Sequence, residues 1–177
     1  MTTDSMGRVP IDKLCQQFVN LVEKALIGQA LAKTANGELS RAQYEGLRFV
    51  HLHPGCCIKD LAKGLSVSHP AAVKLVERLG GKAYIAREVR DEDRRVVRLT
   101  STPEGTGLIA EVGRRRDEAF ATILGAMETA EVEKLAECVD SFIRNALQQG
   151  VAGGKMCLHC GVEHRDECPI AEAQGVA

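Results

Sequence analysis

The sequence predicts a mainly α-helical chain with one small β-hairpin, and three observations predict it. Apolar residues recur at helical spacing over most of the 177 residues, 45% of which are hydrophobic. Between Ile85 and Leu99 the rhythm changes to alternation. There Ile85, Val89, Val97 and Leu99 are apolar and Arg87, Arg90, Arg95 and Arg98 are interleaved, which suits two antiparallel strands. Just before that hairpin, two short helical segments meet at the break Ser66-Val67-Ser68. Helix, turn, helix and hairpin in this order make a winged helix-turn-helix, here flanked by long terminal helices that are expected to form a homodimer.

In chain order, residues 1–38 are expected to hold a dimerisation helix that starts near Pro10–Asp12, with Asp12 as its cap. Leu14, Phe18, Leu21, Val22, Ala25 and Leu26 give it an apolar face, and Asn36-Gly37 stops it. Residues 39–102 form the winged helix-turn-helix. Ser40 and Gln43 are spaced as a capping box, and Tyr44, Leu47, Phe49 and Val50 are the inner positions of the helix it opens. That helix runs to the breaker His53-Pro54-Gly55.

Ile58, Leu61, Ala62 and Leu65 line one side of the next helix, and Ser68 is placed to cap the one after. In that second helix Ala72, Val73, Val76 and Leu79 form a core-facing stripe that Gly80-Gly81 ends. His69, Pro70, Ala71, Lys74 and Arg78 are left on the other side, and Pro70 suits a first turn that has no use for its N–H. Residues 103–149 hold two more dimerisation helices. The first begins at Thr102-Pro103-Glu104 and runs to about Met127, with Leu108, Val112, Ala119, Phe120, Ile123, Leu124 and Met127 toward a partner. Thr129 is the expected cap of the last, where Val132, Leu135, Val139, Phe142, Ile143 and Leu147 repeat at near-heptad spacing.

The second helix of such a unit can lie in a DNA major groove and lead with its N-terminal residues. Ser68, His69, Pro70, Ala71, Lys74 and Arg78 are therefore the candidate DNA-binding residues of the helix, and Arg94 and Arg95 those of the wing tip Asp91-Glu92-Asp93-Arg94. An arginine there can enter a narrow A·T minor groove, oriented by an adjacent aspartate. The net charge of −1 hides an uneven distribution: residues 39–102 carry 12 Lys and Arg against 7 Asp and Glu, between acidic flanks. A local basic face of this kind fits a double-stranded DNA partner. Aromatic content of 3% with no Trp argues against a base-stacking platform for single strands or RNA.

The segments LSRAQYEGLRFVHLHPG, DLAKGLSVSHPAAVKLVERL and DEDRRVVRLTSTPEG together resemble the MarR family of bacterial winged-helix transcription regulators. After the recognition helix the family usually has Gly-Leu-Val or Gly-Tyr-Ile, where this chain has GGKAYIAR. The resemblance implies a DNA-binding regulator, expected to repress, with the terminal helices as its dimerisation module. It also implies a small aromatic effector lodged between those helices and the winged helix. Dimerisation has an independent physical argument: one recognition helix contacts little DNA, whereas a two-fold dimer reads two half-sites about one helical turn apart.

Residues 150–177 form a Cys-rich tail. It starts with the flexible-reading run Gln148 to Gly154 and goes on as KMCLHCGVEHRDECPIAEAQ. Cys157 and Cys160 form a Cys-x-x-Cys knuckle, and Cys168, followed by Pro169, lies further on. Zinc would take Cys157, Cys160, His164 and Cys168 as a closed site of three thiolates and one imidazole. An iron–sulfur cluster would take the same three thiolates and a fourth ligand from His164, another Cys or the partner subunit. The remaining alternatives are redox thiols without metal, or an inert tail.

Cys138 is expected in the core, and the resemblance implies a short strand at Cys56-Cys57, where these two thiols are expected to pack. Cys15 lies near the start of the first helix, as does the sensing Cys of the peroxide-responsive branch of the family, and is the candidate redox residue. No apolar run approaches the ~20 residues a membrane span needs, and MTTDSMGRVPIDK lacks the pattern of a signal peptide. The expected location is cytoplasmic, with the seven Cys as thiols or ligands. No catalytic constellation is present, so no enzyme is expected. The other function class is a metal- or thiol-based redox protein whose basic domain docks a partner.

Overall fold

The computed structural model describes residues 10–35, 38–89 and 97–150. One continuous helical path opens it: α1 (Ile11–Asn20), a π-helical stretch (Leu21–Gly28) and α2 (Gln29–Thr34). The backbone stays right-handed at both junctions. Pro10, not Asp12, is the residue before the first turn, and Asp12 falls within that turn, where its charge favours the helix N-terminus. α3 (Arg41–Leu52) opens with the expected capping box: the Ser40 hydroxyl accepts from the Gln43 N–H and the Gln43 side chain accepts from the Ser40 N–H.

Then follow β1 (Cys56–Cys57), α4 (Ile58–Gly64), α5 (His69–Gly81), β2 (Ile85–Val89), β3 (Val97–Ser101), α6 (Pro103–Leu124) and α7 (Thr129–Gln148). The sheet is antiparallel in the order β1-β3-β2, with Cys56 opposite Leu99 and Ile85 opposite Ser101. The expected hairpin is thus present, and β1 extends it to three strands. Leu47, Val50, Leu61, Val76, Leu79, Leu99 and Val112 are fully buried where α3, α4, α5, α6 and the sheet meet. Close approach is built in at two glycines. A Cβ at Gly64 would meet the Phe49 ring at 1.9 Å, and one at Gly105 would meet the Tyr84 carbonyl oxygen at 2.2 Å.

Several elements end differently from the reading of the sequence. The Gly80-Gly81 pair does not stop α5, which runs through Gly81 to a C-cap at Lys82. The stop is a Schellman motif: the Tyr84 N–H reaches the Leu79 carbonyl (3.0 Å) and the Ala83 N–H reaches that of Gly80 (2.9 Å). Ala83 is its left-handed residue, with φ of 58°. This motif absorbs the unusual spacing of GGKAYIAR. Ala83→Gly is expected to stabilise the protein by about 0.5–1 kcal/mol, since a Cβ is strained there. That predicts a melting midpoint roughly 2–4 °C higher; a lower midpoint would contradict the motif.

Ala72, Val76 and Leu79 are the buried residues of α5, as expected; Leu75, half-buried, packs against that core, while Val73, also half-buried, does not join it. Val112 and Leu108 pack into the chain's own core rather than toward a partner. α6 ends at Leu124, short of Met127, and Glu128, not Thr129, is the N-cap of α7, paired with Glu131 in a capping box. Cys138 is exposed, against the expectation that it packs in the core. No residue of α7 is buried.

Candidate nucleic-acid interface

The turn between α4 and α5 is built from local chemistry. α4 stops in a second Schellman motif: the Val67 N–H reaches the Ala62 carbonyl (3.0 Å) and the Ser66 N–H that of Lys63 (3.2 Å). Ser66 takes the left-handed conformation this requires, with φ of 53°. The Ser68 hydroxyl then accepts from the Ala71 N–H (3.4 Å) and starts α5, with Pro70 in its first turn. Leu75, Val76 and Leu79 press α5 onto the core, and a Cβ at Gly46 of α3 would lie 2.5 Å from the Leu75 side chain. The small residue at Gly46 lets the two helices come that close.

That seating leaves the opposite side of α5 free. Ser68, His69, Pro70, Ala71, Lys74 and Arg78 are all exposed, as the sequence predicts. Pro70, Ala71, Lys74 and Arg78 lie on one side of the helix at its 3.6-residue period. Glu77 is exposed on the same side, between Lys74 and Arg78. The reading of the sequence passed over it, although a carboxylate can accept from a cytosine amino group. The helix therefore presents cations for phosphates and a base-edge acceptor.

The sheet beside it sorts the hairpin arginines into two kinds. The Arg98 guanidinium donates to the Gly55 carbonyl at 2.9 Å, so it ties β3 to the loop before β1 and is not a free wing cation. It shares a cleft with Phe49, His53, Asp60 and Lys63. The Asp60 carboxyl sits below its usual range there, chiefly because the Cys57 thiol donates to it at 3.0 Å, helped by the Cys57 N–H. Arg87 lies over the last turn of α5, its guanidinium 3.8 Å from where a Cβ at Gly80 would stand. Arg94 and Arg95, the expected wing-tip contacts, lie outside the described residues.

The cysteines divide just as clearly. Cys56 is buried, and burial pushes its thiol up to about 11, which suits packing rather than reactivity. Cys15, the candidate redox residue, is half-buried on α1. The metal-site candidates Cys157, Cys160, His164 and Cys168 lie outside the described residues, among which no group of three His, Cys, Asp or Glu side chains is placed to hold a metal. Among the described residues no helix is long and apolar enough to cross a membrane.

A helix-turn-helix whose second helix is seated by its apolar stripe and bare on its cationic side, followed by a sheet hairpin, defines a winged-helix DNA-binding fold. The MarR family model matches residues 39–97, which take in α3, both helices of the motif and the wing as far as the start of β3. The match covers about a third of the chain, the segment that holds the winged helix.

Solved structures agree over more of the chain. One is Rv1404 from Mycobacterium tuberculosis, with a TM-score of 0.69 at 22% identity, over 78% of this chain and 96% of that one. Another is FabT from Streptococcus pneumoniae in complex with DNA, with a TM-score of 0.64 at 17% identity, over 79% and 99%. A variant of MepR from Staphylococcus aureus bound to an oligodeoxyribonucleotide gives 0.59 at 20% identity, over 78% and 99%. At these identities the likeness is one of fold.

Proposed function

We propose that this protein is a dimeric, sequence-specific transcription regulator that binds double-stranded DNA and represses. The observation that carries the reading is α5: Ser68, His69, Pro70, Ala71, Lys74 and Arg78 stand exposed above a stripe of core residues, in a family segment built for DNA. Dimerisation is supported by α1 and α7, which leave Phe18, Val19, Val139 and Phe142 exposed, with Phe142 at 68%. Large apolar side chains lined up on helices with nothing buried call for a partner surface. A second copy supplies the same surface by symmetry.

The repressor responds either to a small aromatic ligand or to the state of the Cys-rich tail. The first is supported at the junction of α3 and α6. The Arg48 guanidinium lies 5.7 Å from the Tyr44 ring centroid, and both Arg48 and Arg116 bear on the Tyr44 phenol. Two cations beside an aromatic ring suit an aromatic acid. The second is supported by the tail's own spacing, with Cys157, Cys160, His164 and Cys168 as zinc ligands and an iron–sulfur cluster as the alternative.

Lys74→Ala and Arg94→Ala test the DNA assignment. Lys74→Ala is expected to weaken operator binding by at least about tenfold and to reduce the salt slope by about two, since each of the two subunits leaves one phosphate no longer neutralised. Arg94→Ala is expected to weaken binding and relax A·T preference beside each half-site. Unchanged affinity of both variants across a salt titration would contradict the assignment.

A further inference from the structure

Gly81 does not end α5, so it needs another account. It is helical, and its backbone is not left-handed. Glycine is among the residues least favourable to a helix. What it offers is the close approach of another surface to the backbone. At Gly46, Gly64 and Gly105 that surface belongs to the chain itself. At Gly81 it does not: the residue is exposed, and a Cβ there would meet nothing within 4 Å.

The same side of the helix carries Glu77, one turn before Gly81. Counting about 100° per residue, Pro70, Lys74, Glu77 and Gly81 fall within about 60° of one another, opposite the buried Ala72, Val76 and Leu79. Glu77 is exposed and has neither an ion pair nor a hydrogen bond among the described residues. Lys74 stands three residues before it, a spacing at which opposite charges meet on a helix, and still leaves it free. A free carboxylate on a surface that meets phosphates opposes the binding of every sequence alike. It favours binding only where a donor meets it. In the major groove cytosine shows the N4 amino donor alone, whereas adenine sets an acceptor beside its donor and guanine shows two acceptors.

We propose that Glu77 reads a cytosine in each half-site of the operator, and that Gly81 lets the C-terminal half of α5 lie close enough to do so. This rests on the DNA-binding reading of α5 and extends it beyond the first turn. Glu77 stands about 10 Å along the helix from Pro70 at 1.5 Å per residue, so its cytosine lies up to about three base pairs from those below the first turn. Lys74 and Arg78 beside it hold phosphates and offset the charge of the carboxylate. The cations then supply affinity, and Glu77 supplies discrimination.

The experiment selects sites from random duplex DNA with the full-length chain as wild type, Glu77→Ala, Glu77→Gln and Gly81→Ala. Fluorescence anisotropy then reads affinity for the wild-type site and its single-base variants. Wild type is expected to select one cytosine per half-site and to bind about tenfold more weakly when that pair is replaced in one half-site. Glu77→Ala is expected to accept all four pairs there within about twofold, with the salt slope unchanged. Glu77→Gln is expected to select adenine instead, since an amide pairs with adenine N6 and N7. A role in the fold alone would not move a base preference. Gly81→Ala is expected to melt no lower than wild type and to bind at least about fivefold more weakly. Glu77 variants that keep the wild-type preference at every position, or Gly81→Ala that binds as tightly as wild type, would overturn the inference and leave the DNA assignment of α5 standing. Wild type that selects no sequence would overturn that assignment, and the inference with it.

Discussion

Phe142→Asp is expected to turn the dimer into a folded monomer and to lower operator affinity by about two orders of magnitude or more. Phe142 is the most exposed large apolar side chain on α7, and no residue of that helix is buried by its own chain. The substitution therefore removes nothing from the core. In a two-fold interface it places two carboxylates in an apolar seam, and desolvating an unpaired charge costs several kcal/mol. A monomer then reads one half-site instead of two, which removes most of the specific binding energy. Sedimentation and fluorescence anisotropy on the same sample read both effects. A dimer of unchanged affinity would contradict the assignment of α7.

Leu79→Ala has the opposite character, since it acts from within. Leu79 is fully buried, and its side chain lies 3.5 Å from where a Cβ at Gly46 would stand. Its carbonyl receives the Tyr84 N–H that closes the Schellman motif. Removing a buried leucine side chain costs about 2–5 kcal/mol. The expected result is a large fall in the urea midpoint, together with weaker DNA binding, because this residue seats α5 against α3. Val67→Ala, at a site 40% exposed, is the matched control and is expected to change neither. Equal effects from the two substitutions would show that α5 is not held by this stripe.

Much of this was legible because it is written in local chemistry. The Ser40–Gln43 box, the Ser68 cap, the start of α6 at Thr102-Pro103 and the alternation through β2 and β3 each depend on residues within a few positions of one another. What was missed depends on distance in the chain. Gly80-Gly81 reads as a stop, yet the stop is made by Ala83, because Thr102 fixes that turn from beyond the far strand through a 2.6 Å bond to the Ala83 carbonyl. Leu75 faces inward because Gly46 of α3 opens a place for it. Leu108 and Val112 look like interface residues by spacing, but the chain's own core claims them first.

The candidate site was legible for the same reason and to the same extent. Exposure of Ser68 to Ala71, Lys74 and Arg78 follows from the period of one helix. Periodicity did not reveal that Arg98 is committed to the Gly55 carbonyl, which is a contact between strand and loop. Nor did it show that Cys138 is exposed, since a thiol beside valine on an amphipathic helix reads as core until the helix is seen to have no core of its own.

The central claim is that two copies of α5, set by a two-fold axis, read two half-sites. Selection of binding sites from random duplex DNA by the full-length protein, with the mass of the recovered complex measured on the selected sequence, tests it most directly. The account predicts an inverted repeat whose half-sites are centred about one helical turn, roughly 10 base pairs, apart, with two chains on each duplex. A selected sequence without two-fold symmetry, or one chain per duplex, would contradict it.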